Sequence, residues 1–141
     1  MLKRHYGSSL RDWLGAAEYI LIEGNNKVIL CERGVSVPHT HRSTSRFLLD
    51  LQVVPAAKEL THLPIVVDPS HATFWRPWVK PMALAGIASG ADGIMLEVHP
   101  DPKNAKCDGP CALPLNLLKD FLMQLKKLDD LAKTLPHLEI I

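Results

Sequence analysis

The sequence lacks any apolar stretch approaching the roughly 20 residues that a membrane-spanning helix needs. Its first residues, MLKRHYGSSLRDW, contain no apolar segment of the length found in signal peptides. Only three cysteines are present, Cys31, Cys107 and Cys111, which is not the pattern of a disulfide framework and fits a reducing compartment. These absences predict a cytoplasmic protein that has no membrane partner.

The sequence also lacks an imbalance of charge. Sixteen basic and fifteen acidic residues leave a formal net charge of +1, whereas a nucleic-acid partner normally requires a strongly basic face. Neither GxGxxG nor GxxxxGK[ST] follows any strand candidate, which disfavours a nucleotide-binding fold. With 47% hydrophobic residues in 141, the composition predicts a single globular domain over residues 1–141 and no nucleic-acid partner.

Four short apolar segments predict buried strands, and each of them precedes a helix candidate. The strand candidates are Met1–Leu2, Val28–Leu30, Ile65–Val67 and Ile94–Leu96. Strands that alternate with helices at intervals of roughly 30 residues predict a parallel sheet with right-handed crossovers. The βα units are expected at about residues 1–26, 27–62, 63–91 and 92–135. An open doubly wound sheet and a (β/α) barrel both fit this order.

Capping residues predict where the helices begin and end. Ser8 or Ser9 can cap the first helix, and Gly24 can end it. Asp50 can cap the second helix, and Pro77 lies near the start of the third. The last helix follows Pro114, and we expect its apolar stripe to pack against the core. That stripe comprises Leu118, Phe121, Leu122, Leu125 and Leu128.

Charged side chains follow every predicted strand. In a barrel these strand ends meet at one mouth, where the active site is built. A closed barrel of this kind needs eight strands, and the sequence supplies four. The strand-end segments are Lys3-Arg4, Cys31-Glu32-Arg33, Asp68 with His71, and Glu97 with His99.

Two groups among these residues suggest chemistry. His71, Glu97 and Asp108 combine an imidazole with two carboxylates, a donor set that suits Mn²⁺, Fe²⁺ or Zn²⁺. Spacing alone equally allows His71 to cap a turn while the two carboxylates are solvated. A separate cationic group suits a phosphate or a carboxylate, unless it is only a solvated rim. It comprises Lys3, Arg4 and Arg33.

Four motifs carry a resemblance to a known family. They are VILCERG (28–34), LPIVVDPSHA (63–72), GADGIMLEVHPDP (90–102) and CDGP (107–110). In this order and spacing they resemble the type I 3-deoxy-D-arabino-heptulosonate 7-phosphate synthases, whose barrel is shared with the 3-deoxy-D-manno-octulosonate 8-phosphate synthases. The resemblance runs from Leu2 to about Leu118. It implies that the chain is the C-terminal half of a (β/α)₈ barrel.

The resemblance also implies roles for particular residues. His71, Glu97 and Asp108 match three of the family's four ligands for a divalent metal such as Mn²⁺, Fe²⁺, Zn²⁺ or Co²⁺. The fourth ligand is a cysteine on the first barrel strand, which this chain does not contain, and Cys31 belongs to a different motif.

For the substrate, Lys3 and Arg33 match residues that hold the phosphate and carboxylate of phosphoenolpyruvate. Arg46 matches a further substrate-binding arginine. Lys3 and His71 are the expected catalytic residues.

The implied reaction is a metal-dependent condensation of phosphoenolpyruvate with erythrose 4-phosphate, the first step of the shikimate pathway to aromatic amino acids. A condensation with arabinose 5-phosphate is the alternative within the same chemistry. Because half of the barrel is absent, we expect the chain to self-associate or to need a complementary N-terminal half. An alternative of another class is a non-catalytic half-barrel that acts through such association.

Overall fold

The computed structural model of the protein describes residues 1–38, 41–43 and 45–135. Four strands form one parallel sheet in the order in which they occur along the chain. They are β1 (Leu2–Lys3), β2 (Leu30–Glu32), β3 (Ile65–Val67) and β4 (Gly93–Ile94). Residues 136–141, which the expected single domain includes, lie outside the described part, and that domain assignment stays a prediction.

A second pair of parallel strands follows the sheet, and helices separate the strands. The pair consists of β5 (Val98–His99) and β6 (Leu113–Pro114), with a 3₁₀ turn at Pro102–Asn104 between them. None of the described helices combines the length and the apolarity that crossing a membrane requires. The helices are α1 (Leu10–Ile22), α2 (Val53–Leu60), α3 (Pro69–Thr73), α4 (Arg76–Ala88) and α5 (Leu115–Thr134).

Parallel strands alternating with helices confirm the predicted fold class, and the strand bounds are close to those expected. The prediction of β3 at Ile65–Val67 is confirmed. All three of its residues are β-branched, and such residues favour strands. The second strand begins two residues later than predicted and includes Glu32, a charged residue whose buried carboxylate is held by hydrogen bonds. The fourth strand begins one residue earlier, at Gly93, which pairs with Val66.

The predicted ends of the first helix are confirmed. Ser9 is the N-cap of α1, and its hydroxyl accepts a hydrogen bond from the backbone N–H of Asp12. The Asp12 side chain in turn accepts from the N–H of Ser9, so two otherwise unpaired N–H groups are satisfied. Gly24 follows the last turn with φ +84°, a conformation that glycine adopts without strain.

Two helix starts differ from the prediction. Asp50 does not cap the second helix: α2 begins at Val53, and the carboxylate of Asp50 binds the guanidinium of Arg4 instead. The short helix α3 was not predicted, because five residues are too few to show a helical period. Its signal was the Asp68-Pro69 pair, an N-cap followed by proline at the first helical position.

The helices cover one face of the sheet and form the core. Trp13 of α1 and Val54 of α2 pack on Leu30 and Ile65, and all four are buried. A second cluster lies between α4, α5 and β6, where Phe121 and Leu125 are buried as predicted. The rest of the α5 stripe is less buried than expected, and Leu122 is 49% exposed.

The opposite face of the sheet carries a row of residues that are paired across the strands. Lys3, Cys31, Val66 and Gly93 are consecutive partners in this row. Because side chains alternate along a strand, the row faces away from the helix-covered core. The parallel strands also end on the same edge, so the residues that follow them are brought together there.

Candidate metal and phosphate site

Three potential ligand atoms converge at the carboxyl ends of the strands. His71 lies in α3, Glu97 directly precedes β5, and Asp108 lies in the turn before β6. One ligand atom from each lies within 4.8 Å of the others. The Nε2 atom of His71 is 3.9 Å from Glu97 Oε2 and 3.7 Å from Asp108 Oδ2. The structure therefore brings together the three residues expected to bind a metal; that they are ligands stays a prediction.

The carboxylate of Asp68 contacts both the backbone and the ring of His71. Its side chain is fully buried, and its Oδ1 accepts a hydrogen bond from the backbone N–H of His71 at 3.0 Å. Its Oδ2 lies 2.8 Å from the ring atom Nδ1 of His71. The sequence indicated a carboxylate at this strand end but gave it no role. The Asp-x-x-His spacing, in which the aspartate caps the turn that carries the histidine, was the available signal.

Lys3 joins the same cluster from a distant part of the chain. Its Nζ atom lies 3.3 Å from Asp68 Oδ2, across 65 residues of sequence. The side chain of Lys3 is 39% exposed while that of Asp68 is fully buried, so Lys3 is the solvent-accessible member of the pair. The expected cation and one of the expected metal ligands, His71, therefore contact the same oxygen of one carboxylate.

The backbone around Glu97 and Asp108 holds these two carboxylates in place. The N–H of Glu97 donates to Ser70 Oγ at 3.0 Å. The carbonyl oxygen of Asp108 accepts from the N–H groups of Cys111 and Ala112 at 3.0 and 2.9 Å. Asp108 adopts φ +54°, and at the next position a Cβ on Gly109 would lie 2.4 Å from the carbonyl oxygen of Pro102. The close approach leaves no room for a side chain at the second residue of this Asp-Gly pair.

The two expected substrate-binding arginines rest on aromatic rings. The guanidinium of Arg33 lies 5.1 Å from the ring centre of Phe47, and that of Arg46 lies 3.7 Å from the ring centre of Phe74. These are cation–π distances, which restrict the two long side chains. The structure does not bring either arginine into the hydrogen-bond cluster of Lys3, Asp68 and His71.

Arg4, which the sequence grouped with the phosphate-binding cations, belongs to a different network. Its side chain is 7% exposed and binds Glu32 Oε2 at 3.1 Å and Asp50 Oδ2 at 2.8 Å. Burial opposes its charge, but the hydrogen bonds to Asp50 and Glu32 outweigh burial and raise the pKa of Arg4. Burial raises the pKa of the Glu32 carboxyl. Arg4 is thus paired inside the protein, so it fits neither the anion-binding group nor the solvated rim that the sequence suggested for it.

Comparisons with known proteins agree on one family. The model of the "DAHP synthetase I family" matches residues 1–134. A phospho-2-dehydro-3-deoxyheptonate aldolase from Thermotoga maritima is 44% identical over 92% of this chain and 38% of its own length. A 2-dehydro-3-deoxyphosphooctonate aldolase from Ectopseudomonas mendocina is 42% identical over 82% of the chain and 43% of its length.

Solved structures give the same result. The crystal structure of the Thermotoga maritima DAHP synthase matches with a TM-score of 0.84 and 43% identity, over 92% of this chain and 37% of that one. A truncated form of that synthase matches with the same TM-score over 48% of its length. The chain therefore corresponds to part of a barrel and spans less than half the length of these relatives.

Proposed function

Because the chain belongs to the DAHP synthetase I family, we propose that it supplies the metal- and phosphate-binding half of an enzyme that condenses phosphoenolpyruvate with erythrose 4-phosphate. The product would be 3-deoxy-D-arabino-heptulosonate 7-phosphate, formed at the entry to the shikimate pathway. The family assignment covers residues 1–134, and the chain spans 38% of the Thermotoga maritima relative's length.

The convergence of His71, Glu97 and Asp108 is the observation that carries this proposal. Their ligand atoms lie within 4.8 Å of one another, and one imidazole with two carboxylates fits Mn²⁺, Fe²⁺, Zn²⁺ or Co²⁺. A divalent metal bound there would supply Lewis-acid polarisation of the sugar aldehyde. The family is generally metal-dependent, which agrees with this donor set.

Lys3, Arg33 and Arg46 would bind and orient the anionic substrate. The ammonium of Lys3 is partly exposed beside the metal-ligand group, and it suits the phosphate or carboxylate of phosphoenolpyruvate. The guanidinium groups of Arg33 and Arg46, which lie over aromatic rings, would present planar donors to an anion. Their contribution is positioning and charge compensation rather than covalent catalysis.

The reaction itself forms one carbon–carbon bond and breaks one bond to phosphate. The methylene carbon of phosphoenolpyruvate attacks the aldehyde carbon, and the aldehyde oxygen takes up a proton. Water then adds to the cationic C2 and loses a proton, and the resulting hemiketal phosphate releases inorganic phosphate to give the 2-keto acid. We assign the compensation of these charges to Lys3 and to the metal that His71, Glu97 and Asp108 would hold.

An octulosonate-type condensation with arabinose 5-phosphate is the second candidate. It is favoured by the 42% identity to the Ectopseudomonas mendocina aldolase. The CERG and EVHPDP segments favour the erythrose-phosphate reaction instead. A non-catalytic half-barrel, acting only through association, is the candidate of another class.

The four-stranded sheet supports a role for a second chain. Within the described residues, β1 and β4 each pair with one other strand of the sheet, so each leaves one edge unpaired. Such edges bind further strands readily. We infer that the chain either closes a barrel with a second copy or requires a complementary N-terminal half. We also place it in the cytoplasm, since its three cysteines are free.

The test is product formation from phosphoenolpyruvate and either sugar phosphate with Mn²⁺, with and without excess chelator. The chain is assayed alone and mixed with the N-terminal part of the Thermotoga maritima relative. We expect chelator-sensitive product with erythrose 4-phosphate in at least one of these samples. Absence of product from all of them, with Mn²⁺ bound, would contradict the catalytic proposal and favour the non-catalytic half-barrel.

A further inference from the structure

We propose that Asp68 is a positioning residue: it fixes the tautomer of His71 so that Nε2 faces the metal, and through the same carboxylate it holds Lys3 beside that site. The inference rests on the proposed function for the identity of the ligand that the site binds. The state of the His71 ring can be measured without that ligand.

The contacts of Asp68 define what each of its oxygens does. Oδ1 accepts from the backbone N–H of His71 at 3.0 Å, which is the ordinary contact of a helix N-cap. Oδ2 is 2.8 Å from His71 Nδ1 and 3.3 Å from Lys3 Nζ, and capping requires neither of these contacts. One oxygen therefore serves the fold of α3, and the other serves the site.

The chemistry of the pair determines the tautomer. A carboxylate that faces an ammonium group has only acceptor atoms, so the nitrogen of a neutral imidazole that contacts it must carry the proton. With the proton on Nδ1, the lone pair is on Nε2. Nε2 is the atom that faces Glu97 and Asp108, at 3.9 and 3.7 Å. Both distances are longer than a hydrogen bond, so Nε2 donates no proton to either carboxylate, which agrees with a lone pair on that atom.

Asp68 is held firmly enough to transmit this preference. Its side chain is fully buried, and its backbone N–H donates to the carbonyl oxygen of Glu32 at 2.8 Å, which extends the ladder between β2 and β3 by one residue. Its position at the end of β3 and at the start of α3 leaves the carboxylate little freedom. A metal-ligating histidine that a carboxylate orients in this way binds metal more tightly than a histidine without such a partner.

Asp68→Asn separates the two functions. The amide oxygen can still cap α3, whereas the amide nitrogen would replace the acceptor that faces His71 Nδ1 and Lys3. We expect nitrogen NMR of the metal-free chain at alkaline pH to show the Nδ1–H form of His71 in the unmodified protein. In Asp68→Asn the Nε2–H form should predominate. The His71 signals are identified by their loss in His71→Gln.

Metal binding gives the second readout. We expect Asp68→Asn to weaken Mn²⁺ binding by about ten- to a hundredfold, the usual effect of losing a carboxylate behind a histidine ligand. Asp92→Asn is the matched control. Asp92 also binds a lysine, Lys58, at 2.8 Å and a backbone N–H, that of Ile65, at 2.8 Å, but it lies at the opposite ends of the strands. The Mn²⁺ affinity of the Asp92→Asn variant should equal that of the unmodified chain.

Each possible result decides the proposal. An Nε2–H tautomer in the unmodified chain would overturn it, as would an Asp68→Asn variant that keeps either the Nδ1–H form or the Mn²⁺ affinity. If Asp68→Asn fails to fold, the proposal is still tested by the tautomer of His71 in two other chains. These are the unmodified chain and Asp68→Glu, which retains a carboxylate. Failure of the unmodified chain to bind Mn²⁺ would contradict the proposed function. It would leave the tautomer result intact, because the tautomer is measured on the metal-free chain.

Discussion

The backbone N–H of Glu97 donates a hydrogen bond to the side chain of Ser70 at 3.0 Å. Ser70 is fully buried and directly precedes His71 in α3. This bond therefore joins the helix that carries one expected metal ligand to the segment that carries another. We expect the separation of His71 and Glu97 to depend on this bond.

Replacing Ser70 by alanine tests this relationship. The variant should fold, since only one hydroxyl is lost, but the freed N–H of Glu97 lets its segment move relative to α3. We expect Mn²⁺ affinity, measured by titration, to fall by about tenfold, in the range typical of contacts that support a ligand. Ser89→Ala is the control, because its hydroxyl donates to Gly86 at the far end of α4. Equal Mn²⁺ affinities of the two variants would count against the role of Ser70.

His71→Ala removes the nitrogen donor of the group. Loss of a contact that supports a ligand lowers metal affinity by up to about a hundredfold. We expect loss of the ligand itself to lower Mn²⁺ affinity by more than that. His62→Ala, a change at an exposed position just after α2, should leave the affinity unchanged. Titrations of both variants by the same method check this. A His71→Ala chain that binds Mn²⁺ as tightly as the unmodified one would show that the metal assignment is wrong.

The sequence predicted local features well and contacts between distant segments poorly. The strand Ile65–Val67 and the Ser9 cap follow from a few adjacent residues, and both are confirmed. Asp50 has the same local character as a cap, yet Arg4, 46 residues away, binds its carboxylate. A pattern of neighbouring residues cannot predict that contact.

The candidate site shows the same division. Spacing alone left His71, Glu97 and Asp108 as a metal group or as solvated side chains, and the family motifs favoured the former. The contact between Lys3 and Asp68 joins residues 65 positions apart, and it exists only because β1 and β3 flank β2 in one sheet. A sequence that shows charged strand ends predicts their convergence but not which oxygen meets which nitrogen.

The buried pair of Arg4 and Glu32 should matter far more for stability than an exposed pair. Arg4→Ala would leave the fully buried carboxylate of Glu32 without its cation, which typically destabilises a protein by about 3–5 kcal/mol. Lys58→Ala removes the partly exposed partner of Asp92 and should change stability by about 1 kcal/mol or less. Urea unfolding of both variants at neutral pH measures the difference. Similar losses in the two would contradict the internal role of Arg4.

Gly34 is required by its surroundings, whereas Gly15 is not. Gly34 has φ +97°, and a Cβ there would lie 2.6 Å from Cβ of Phe47 and 3.1 Å from that of Ala72. We expect Gly34→Ala to lower the free energy of unfolding by about 1–3 kcal/mol or more. Gly15 lies inside α1 with nothing within 4 Å, so Gly15→Ala should raise it by about 0.5–1 kcal/mol. Denaturant unfolding with the two variants in parallel should show opposite signs.

Alkaline pH should destabilise the fold through its buried thiols. Burial raises the pKa of Cys31 from 9.0 to about 12, and the nearby carboxylate of Asp68 adds to this; burial likewise raises the pKa of Cys111 to about 12. Above the ordinary thiol pKa the unfolded chain loses these protons while the folded chain retains them. The free energy of unfolding must then fall as pH rises, by up to about 1.4 kcal/mol per pH unit for each thiol.

Cys31→Ala isolates one of these contributions. The substitution lowers stability at every pH by removing a buried side chain, but the decline of stability above the ordinary thiol pKa of 9.0 should become less steep. Cys107→Ala, at an exposed position, should keep the slope of the unmodified chain. Urea unfolding at several pH values gives the three slopes. Since the comparison uses slopes, the loss of packing in Cys31→Ala does not affect it, and parallel curves for that variant and the unmodified chain would show that the Cys31 thiol ionises as easily in the folded protein as in the unfolded one.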